Sequence, residues 1–152
     1  MPHDFISFRG SWIGEGKIIL NMVEEDLTFC TVWNVLDQDF SGIVTSVQNI
    51  QIQGLAEGIQ NEMQFFDFTK DTFSVQMNNQ NIGNILGKGV FDTRMFAWEF
   101  RGNDLKFEGY ELYTLQEDGT YLLKGEYVSS DQFRTQIEGR IWKHGESEER
   151  AE

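Results

Sequence analysis

Apolar and polar side chains alternate along most of this chain with a period of two, the pattern of strands that bury one face. The first such run is the clearest: Trp12, Gly14, Gly16, Ile18 and Leu20 fall on one side, Ile13, Glu15, Lys17 and Ile19 on the other. Ahead of it, Phe5, Ile6 and Phe8 follow Pro2 and suit a short turn or single helical turn over one barrel mouth. A short acidic link at 22–26 leads to a strand over 27–36 with Phe29, Thr31, Trp33 and Val35 on one side, so these two strands form a hairpin. Turn chemistry at 37–42 precedes a long strand over 43–55, in which Gln48, Ile50 and Ile52 share a face. The pattern breaks at 57–61. Residues 62–69 and 72–78 then read as a hairpin with Lys70 and Asp71 at its tip and Phe73, Val75 and Met77 on one side. The polar stretch 78–84 reads as a loop long enough to be mobile and to border a pocket, the best lid candidate. Two short strands at 86–91 and 93–101, or one bent strand, lead into a meander over 105–115, 121–129 and 133–143.

Eight to ten antiparallel strands with short turns and no long helical pattern predict an all-β fold, a single closed up-and-down barrel, because closure removes the exposed edges of an open sheet. A two-sheet sandwich is the second choice. The barrel is expected over 1–144, and 145–152 is expected to be a disordered acidic tail with nothing to bury. At 152 residues the chain supports one core without staples.

Charge then excludes classes of partner. With 25 acidic and 12 basic residues the net charge is -13, which opposes nucleic acid and anionic membranes and suits a solvated, dispersed protein. No apolar run approaches the roughly 20 residues of a membrane helix. The lone Cys30 cannot form an internal disulfide, and the opening residues lack the basic and apolar regions of a signal peptide, which together point to the cytoplasm.

The segment Gly10-Ser-Trp-Ile-Gly-Glu-Gly16 resembles the Gly-x-Trp-x-Gly-x-Gly opening of calycin-like barrels, the group containing lipocalins, fatty-acid-binding proteins and nitrobindins. The resemblance covers seven residues in motif and most of the chain in strand pattern. It is nearest to the nitrobindin-like barrels and related bacterial barrels of unknown function, which also follow the opening strand with a short hairpin. Residues 22–26 leave no room for the portal helices of fatty-acid-binding proteins, and 145–152 cannot supply the helix that follows a lipocalin barrel. The resemblance implies that Trp12, with Gly14 and Gly16, closes one end of the barrel. Nitrobindins hold haem through a histidine on a late strand, whereas the two histidines here, His3 and His144, stand near the ends of the chain; haem is therefore disfavoured and no cofactor is expected.

Other motifs weaken on inspection. The run Gly83-Asn-Ile-Leu-Gly-Lys-Gly89 has one residue too few between its glycines for a phosphate loop and lacks the Ser or Thr after its lysine, so it reads as a strand-initiating turn. Cys30 has no base beside it in the sequence and reads as a buried thiol, and no metal site has credible ligand spacing.

The stronger signal is in the second half. Arg94, Phe96, Trp98 and Phe100 share one strand face, and Leu105, Phe107, Gly109, Glu111, Tyr113 and Leu115 share another. If these aromatics point inward, so do Arg94 and Glu111, charges that need each other or a polar group of something bound. The opposing reading puts Phe96 and Trp98 on an outer face used for homodimerisation, with Arg94 in water. The expected function is reversible binding of a small, largely apolar molecule inside the barrel. Its wall would be drawn from Trp33, Phe73, Met77, Phe96, Trp98, Phe107, Tyr113, Tyr121 and Phe133, with Gln48, Arg94 and Glu111 fixing orientation and Arg94 taking any carboxylate. The alternatives are an isomerase- or lyase-type enzyme with Glu111 as base and Tyr113 or Tyr121 as proton donor, or a filled barrel acting as an interaction or dimerisation module.

Overall fold

The period of two is realised as ten antiparallel strands. They are β1 (Gly10–Leu20), β2 (Leu27–Val35), β3 (Val44–Ile52), β4 (Ile59–Phe66), β5 (Thr72–Asn79), β6 (Gly83–Phe91), β7 (Met95–Phe100), β8 (Glu108–Leu115), β9 (Tyr121–Val128) and β10 (Arg134–Lys143). The structure, a computed structural model, describes residues 1–131 and 133–144, so the tail expected at 145–152 lies outside the described residues. Each strand pairs with its neighbours in sequence, and β10 pairs with β1 to close an up-and-down barrel. The barrel is thus all-β, with one 3-10 turn at Asp4–Ile6, and is compatible with a calycin-like fold. Among the described residues no helix is long and apolar enough to cross a membrane.

β1 and β10 make a long seam from Trp12↔Lys143 to Leu20↔Thr135, and within it Gly16 faces Gly139. A Cβ at Gly16 would stand 2.0 Å from the Glu138 carbonyl oxygen, so the backbones cross there at a distance only glycine allows. The glycines of the opening strand serve the seam, while Trp12 itself packs into the barrel end.

Because every turn reverses the chain, alternate turns fall at opposite ends. At one end the Asp4–Ile6 turn folds over the barrel and inserts Phe5 and Ile6, both fully buried. Phe5 stacks on Trp12 with centroids 4.9 Å apart and meets Trp33, Phe96 and Tyr113 edge-on. His3 is fully buried beside it: its Nε2–H donates to the Asp92 carbonyl at 2.6 Å, and its Nδ1 lies 2.8 Å from the Tyr121 hydroxyl. A carbonyl can only accept, so in the neutral ring Nδ1 accepts from Tyr121. We call this the closed end.

Several expectations are corrected here. β4 begins at Ile59 and ends at Phe66, earlier than the 62–69 expected, because the apolar residue after Gly58 already pairs with Ile50. The loop expected at 78–84 shrinks to three residues, since Asn78 and Asn79 continue β5 and pair with Asn84 and Gly83 of β6. Gly83, at φ +85, starts β6 in keeping with a strand-initiating turn. Cys30 is exposed on the outer face of β2, because the inward positions of that strand are Phe29, Thr31, Trp33 and Val35.

Candidate functional site

The opposite end is built from different residues. Between the strands there lies a cavity of about 250 Å³, lined by Ile18, Phe29, Gln48, Ile50, Ile59, Asn61, Met77, Asn79, Asn81, Ile82, Phe107, Glu111, Leu123, Tyr127 and Ile137. Most of its wall is apolar, aliphatic and aromatic together, contributed largely by inward positions in the open-end halves of the strands. Its polar groups fall into two sets, one on β3 to β5 and one on β8 and β9.

The first set is a ladder of side-chain amides. The Asn81 backbone N–H donates to Asn79 Oδ1 at 2.7 Å, Asn79 Nδ2 donates to Asn61 Oδ1 at 2.6 Å, and Asn61 Nδ2 donates to Gln48 Oε1 at 3.0 Å. Gln48 pairs with Asn61 and Asn61 with Asn79 in strand register, so three adjacent strands each place one amide on the same inward row. The short turn after β5 borders the cavity through Asn81 and Ile82.

The second set is centred on Glu111 of β8. Tyr113 donates its hydroxyl to Glu111 Oε1 at 2.8 Å, and the Tyr127 hydroxyl makes a short bond to Oε2. The Trp98 indole nitrogen also favours the charged carboxylate, although it is buried without a hydrogen bond of good geometry. Removal from bulk water pushes the Glu111 carboxyl above its ordinary value, against the opposing pull of Tyr127, Tyr113 and Trp98. Some of the Glu111 surface remains accessible through the cavity it lines, yet the carboxylate is deep enough for desolvation to dominate. Tyr113 and Tyr127 are both pushed well up, first by burial and then by the Glu111 charge, so they stay protonated as donors.

Glycines give this group its room. In the β8–β9 register Glu111 faces Gly125 and Tyr127 faces Gly109. A Cβ at Gly109 would sit 2.3 Å from Tyr127 Cδ1, and one at Gly125 would sit 3.1 Å from Glu111 Cγ. Phe107 completes the wall: it stacks on Tyr127 at 5.0 Å, and the Asn103 side chain holds its backbone at both N–H (3.0 Å) and carbonyl (2.6 Å).

Of the residues singled out from sequence, Gln48, Met77, Phe107 and Glu111 line the cavity, and Tyr113 reaches it through Glu111. Trp33, Phe73, Phe96, Trp98 and Tyr121 face inward but belong to packed core, Trp98 directly behind Glu111. The aromatics of β7 thus point into the barrel, not to an outer dimer face. Arg94 does not join them. The Asp92 side chain accepts from the backbone N–H of Arg94 (2.8 Å) and Met95 (2.9 Å), making a turn before β7 begins, and Arg94 is exposed at the closed end. Phe133 precedes β10 and is exposed. Sequence reasoning missed Tyr127, Asn61 and Asn79; the Gly109-x-Glu111 and Gly125-x-Tyr127 spacings were the available signal.

A larger groove, about 610 Å³, runs along the outer wall past Glu15, Lys17, Thr28, Cys30, Gln51 and Arg140. It runs across the outer face of β3, β2, β1 and β10 and is open to solvent. Among the described residues no group of three or more His, Cys, Asp or Glu side chains is placed to hold a metal ion. Comparison of the chain with protein-family models and with curated proteins finds no match to either.

Proposed function

We propose that the protein reversibly binds a small, largely apolar molecule in the open half of the barrel, oriented by the Glu111–tyrosine group on one side and the amide ladder on the other. The observation that carries this reading is the cavity itself: an aliphatic and aromatic wall with two convergent, well-braced polar sets, the usual make-up of a small-molecule pocket. Its volume suits a ligand of roughly a dozen non-hydrogen atoms at interior packing density. Both Glu111 oxygens accept a hydrogen bond from a tyrosine of the same sheet, which fixes the carboxylate in place while leaving lone pairs for a ligand.

Native mass spectrometry of protein purified from its own host tests the reading, by comparison with the mass after denaturation. The expected result is a discrete extra mass lost on denaturation. No extra mass, together with no enhancement of a neutral apolar fluorophore, would overturn it.

A further inference from the structure

The charge inside the cavity points to the chemistry of the ligand. Among the described residues no lysine, arginine or histidine lines it, and Glu111 is its one carboxylate. Arg94, the residue that would have received an anionic ligand, lies in a turn at the opposite end of the barrel. An anion entering this cavity would meet a carboxylate with no counter-charge, in a setting where such repulsion is weakly screened. A cation would meet its complement.

The hydrogen bonds add direction. The amide ladder starts from the Asn81 backbone N–H, which can only donate, and this fixes every amide above it: each oxygen accepts from the residue before, and each nitrogen donates to the next. The ladder ends with the Gln48 oxygen occupied, which leaves the NH₂ group of this cavity-lining residue as the end able to donate to a ligand. On the other wall the two tyrosines donate to Glu111, and the carboxylate oxygens retain further lone pairs. Phe107 and Tyr127, stacked on each other, line the cavity beside Glu111. The molecule's net charge of -13 draws cations toward it at any approach.

We propose that the ligand is a small organic amine, bound as its monocation with the ammonium group on Glu111, its apolar body in the cavity and a hydrogen-bond acceptor turned toward Gln48. This rests on the binding reading above and narrows it to a class. An ionised Glu111 disfavours carboxylate ligands such as fatty acids in the same cavity.

Three molecules with one ring and different ends separate the outcomes: 2-phenylethylamine, 3-phenylpropionate and 2-phenylethanol, titrated calorimetrically into the wild type and into Glu111→Gln. The amine should bind most tightly, and the substitution should weaken it at least about tenfold, the size of a charge-assisted hydrogen bond, and by clearly more than it weakens the alcohol. Adding a hydroxyl, as in 2-amino-1-phenylethanol, should tighten binding to the wild type but not to Gln48→Leu. If the alcohol or the acid binds as tightly as the amine, or if the amine preference survives in Glu111→Gln, the assignment of class fails while binding stands. If none of the three binds at millimolar concentration, the binding reading itself fails.

Should Glu111→Gln not fold, the wild type supplies the same test through pH. The groups facing Glu111 are Tyr113 of its own strand, Tyr127 of β9 and Trp98 of β7, and both tyrosines are shifted upward, so none of them titrates in acid. Amine affinity should fall as acid protonates Glu111 and alcohol affinity should not; equal behaviour of the two would overturn the proposal.

Discussion

The two halves of this barrel share ten strands and one hydrogen-bonding pattern, yet one is a solid and the other a container. In the closed half the inward positions carry Trp12, Trp33, Phe65, Phe73, Phe96 and Tyr113, and the Asp4–Ile6 turn drives Phe5 into the space between them. In the open half the equivalent rows carry isoleucine, leucine and methionine, amides, and the glycines that face Glu111 and Tyr127. Inward side-chain volume and the Asp4–Ile6 turn together decide the difference, since the strand frame is continuous through both. Polar groups do not divide as cleanly. In the closed half His3 is matched to Tyr121 and to a backbone carbonyl, but Trp33 Nε1 and Ser46 Oγ are buried there without a partner among the described residues; in the open half Glu111 and Gln48 line the cavity.

That contrast can be broken most forcefully in the solid half. Phe96→Ala should cost about 3–5 kcal/mol, because Phe96 is fully buried and stacked on Tyr113 at 4.7 Å. Ile59→Ala on the cavity wall should cost about 1 kcal/mol, since one side of that residue already lacks neighbours. Equal losses in urea unfolding would mean that the halves are packed alike. Tyr121→Phe leaves the buried His3 Nδ1 without its partner and should cost about 1–3 kcal/mol, measured the same way.

Glu111 sharpens the contrast through pH. Its carboxyl is raised in the folded state, so the protonated form is favoured by folding. That contribution is full below the ordinary value of 4.5 and is lost as pH rises through the raised one. Over that window wild-type stability should decline relative to Glu111→Gln, by at most about 1.4 kcal/mol per pH unit, in parallel urea titrations. A difference between the two proteins that does not change with pH would contradict the burial assigned to this group.

Smaller effects are expected where the molecule has space or water. Ile137→Phe should fill part of the cavity, leave stability within about 1 kcal/mol and abolish binding of 2-phenylethanol, whereas enlarging a packed core residue commonly costs about 1–3 kcal/mol. Arg94→Ala should change neither stability, within about 0.5 kcal/mol, nor binding, because the side chain is exposed at the far end.

The architecture was legible because a barrel is written in alternation. From Trp12 to Leu20 and from Phe29 to Val35 the inward residues could be named from parity alone, and eight to ten such runs without helical spacing favour closure over an open sheet. Parity fails where a strand has not yet begun. Arg94 is in step with Phe96, but the Asp92 side chain turns the chain before Met95, and no period registers that. Parity is also blind to depth along the barrel axis. It placed Trp33, Phe73, Gln48 and Met77 on one inner wall, whereas the turn at Asp4–Ile6 fills the end that Trp33 and Phe73 occupy and leaves Gln48 and Met77 beside open space. Tyr127 escaped notice because its partner Glu111 lies on another strand, in a register that only pairing reveals.

Isoleucine δ1-methyl NMR would locate a bound ligand within the barrel, because the cavity is lined by Ile18, Ile50, Ile59, Ile82 and Ile137 while Ile6 and Ile141 are fully buried near the closed end. On titration with 2-phenylethanol the account predicts that methyl signals of the first set shift together and saturate while those of Ile6 and Ile141 stay in place. Shifts confined to Ile6 and Ile141, or none at any of the seven, would contradict it.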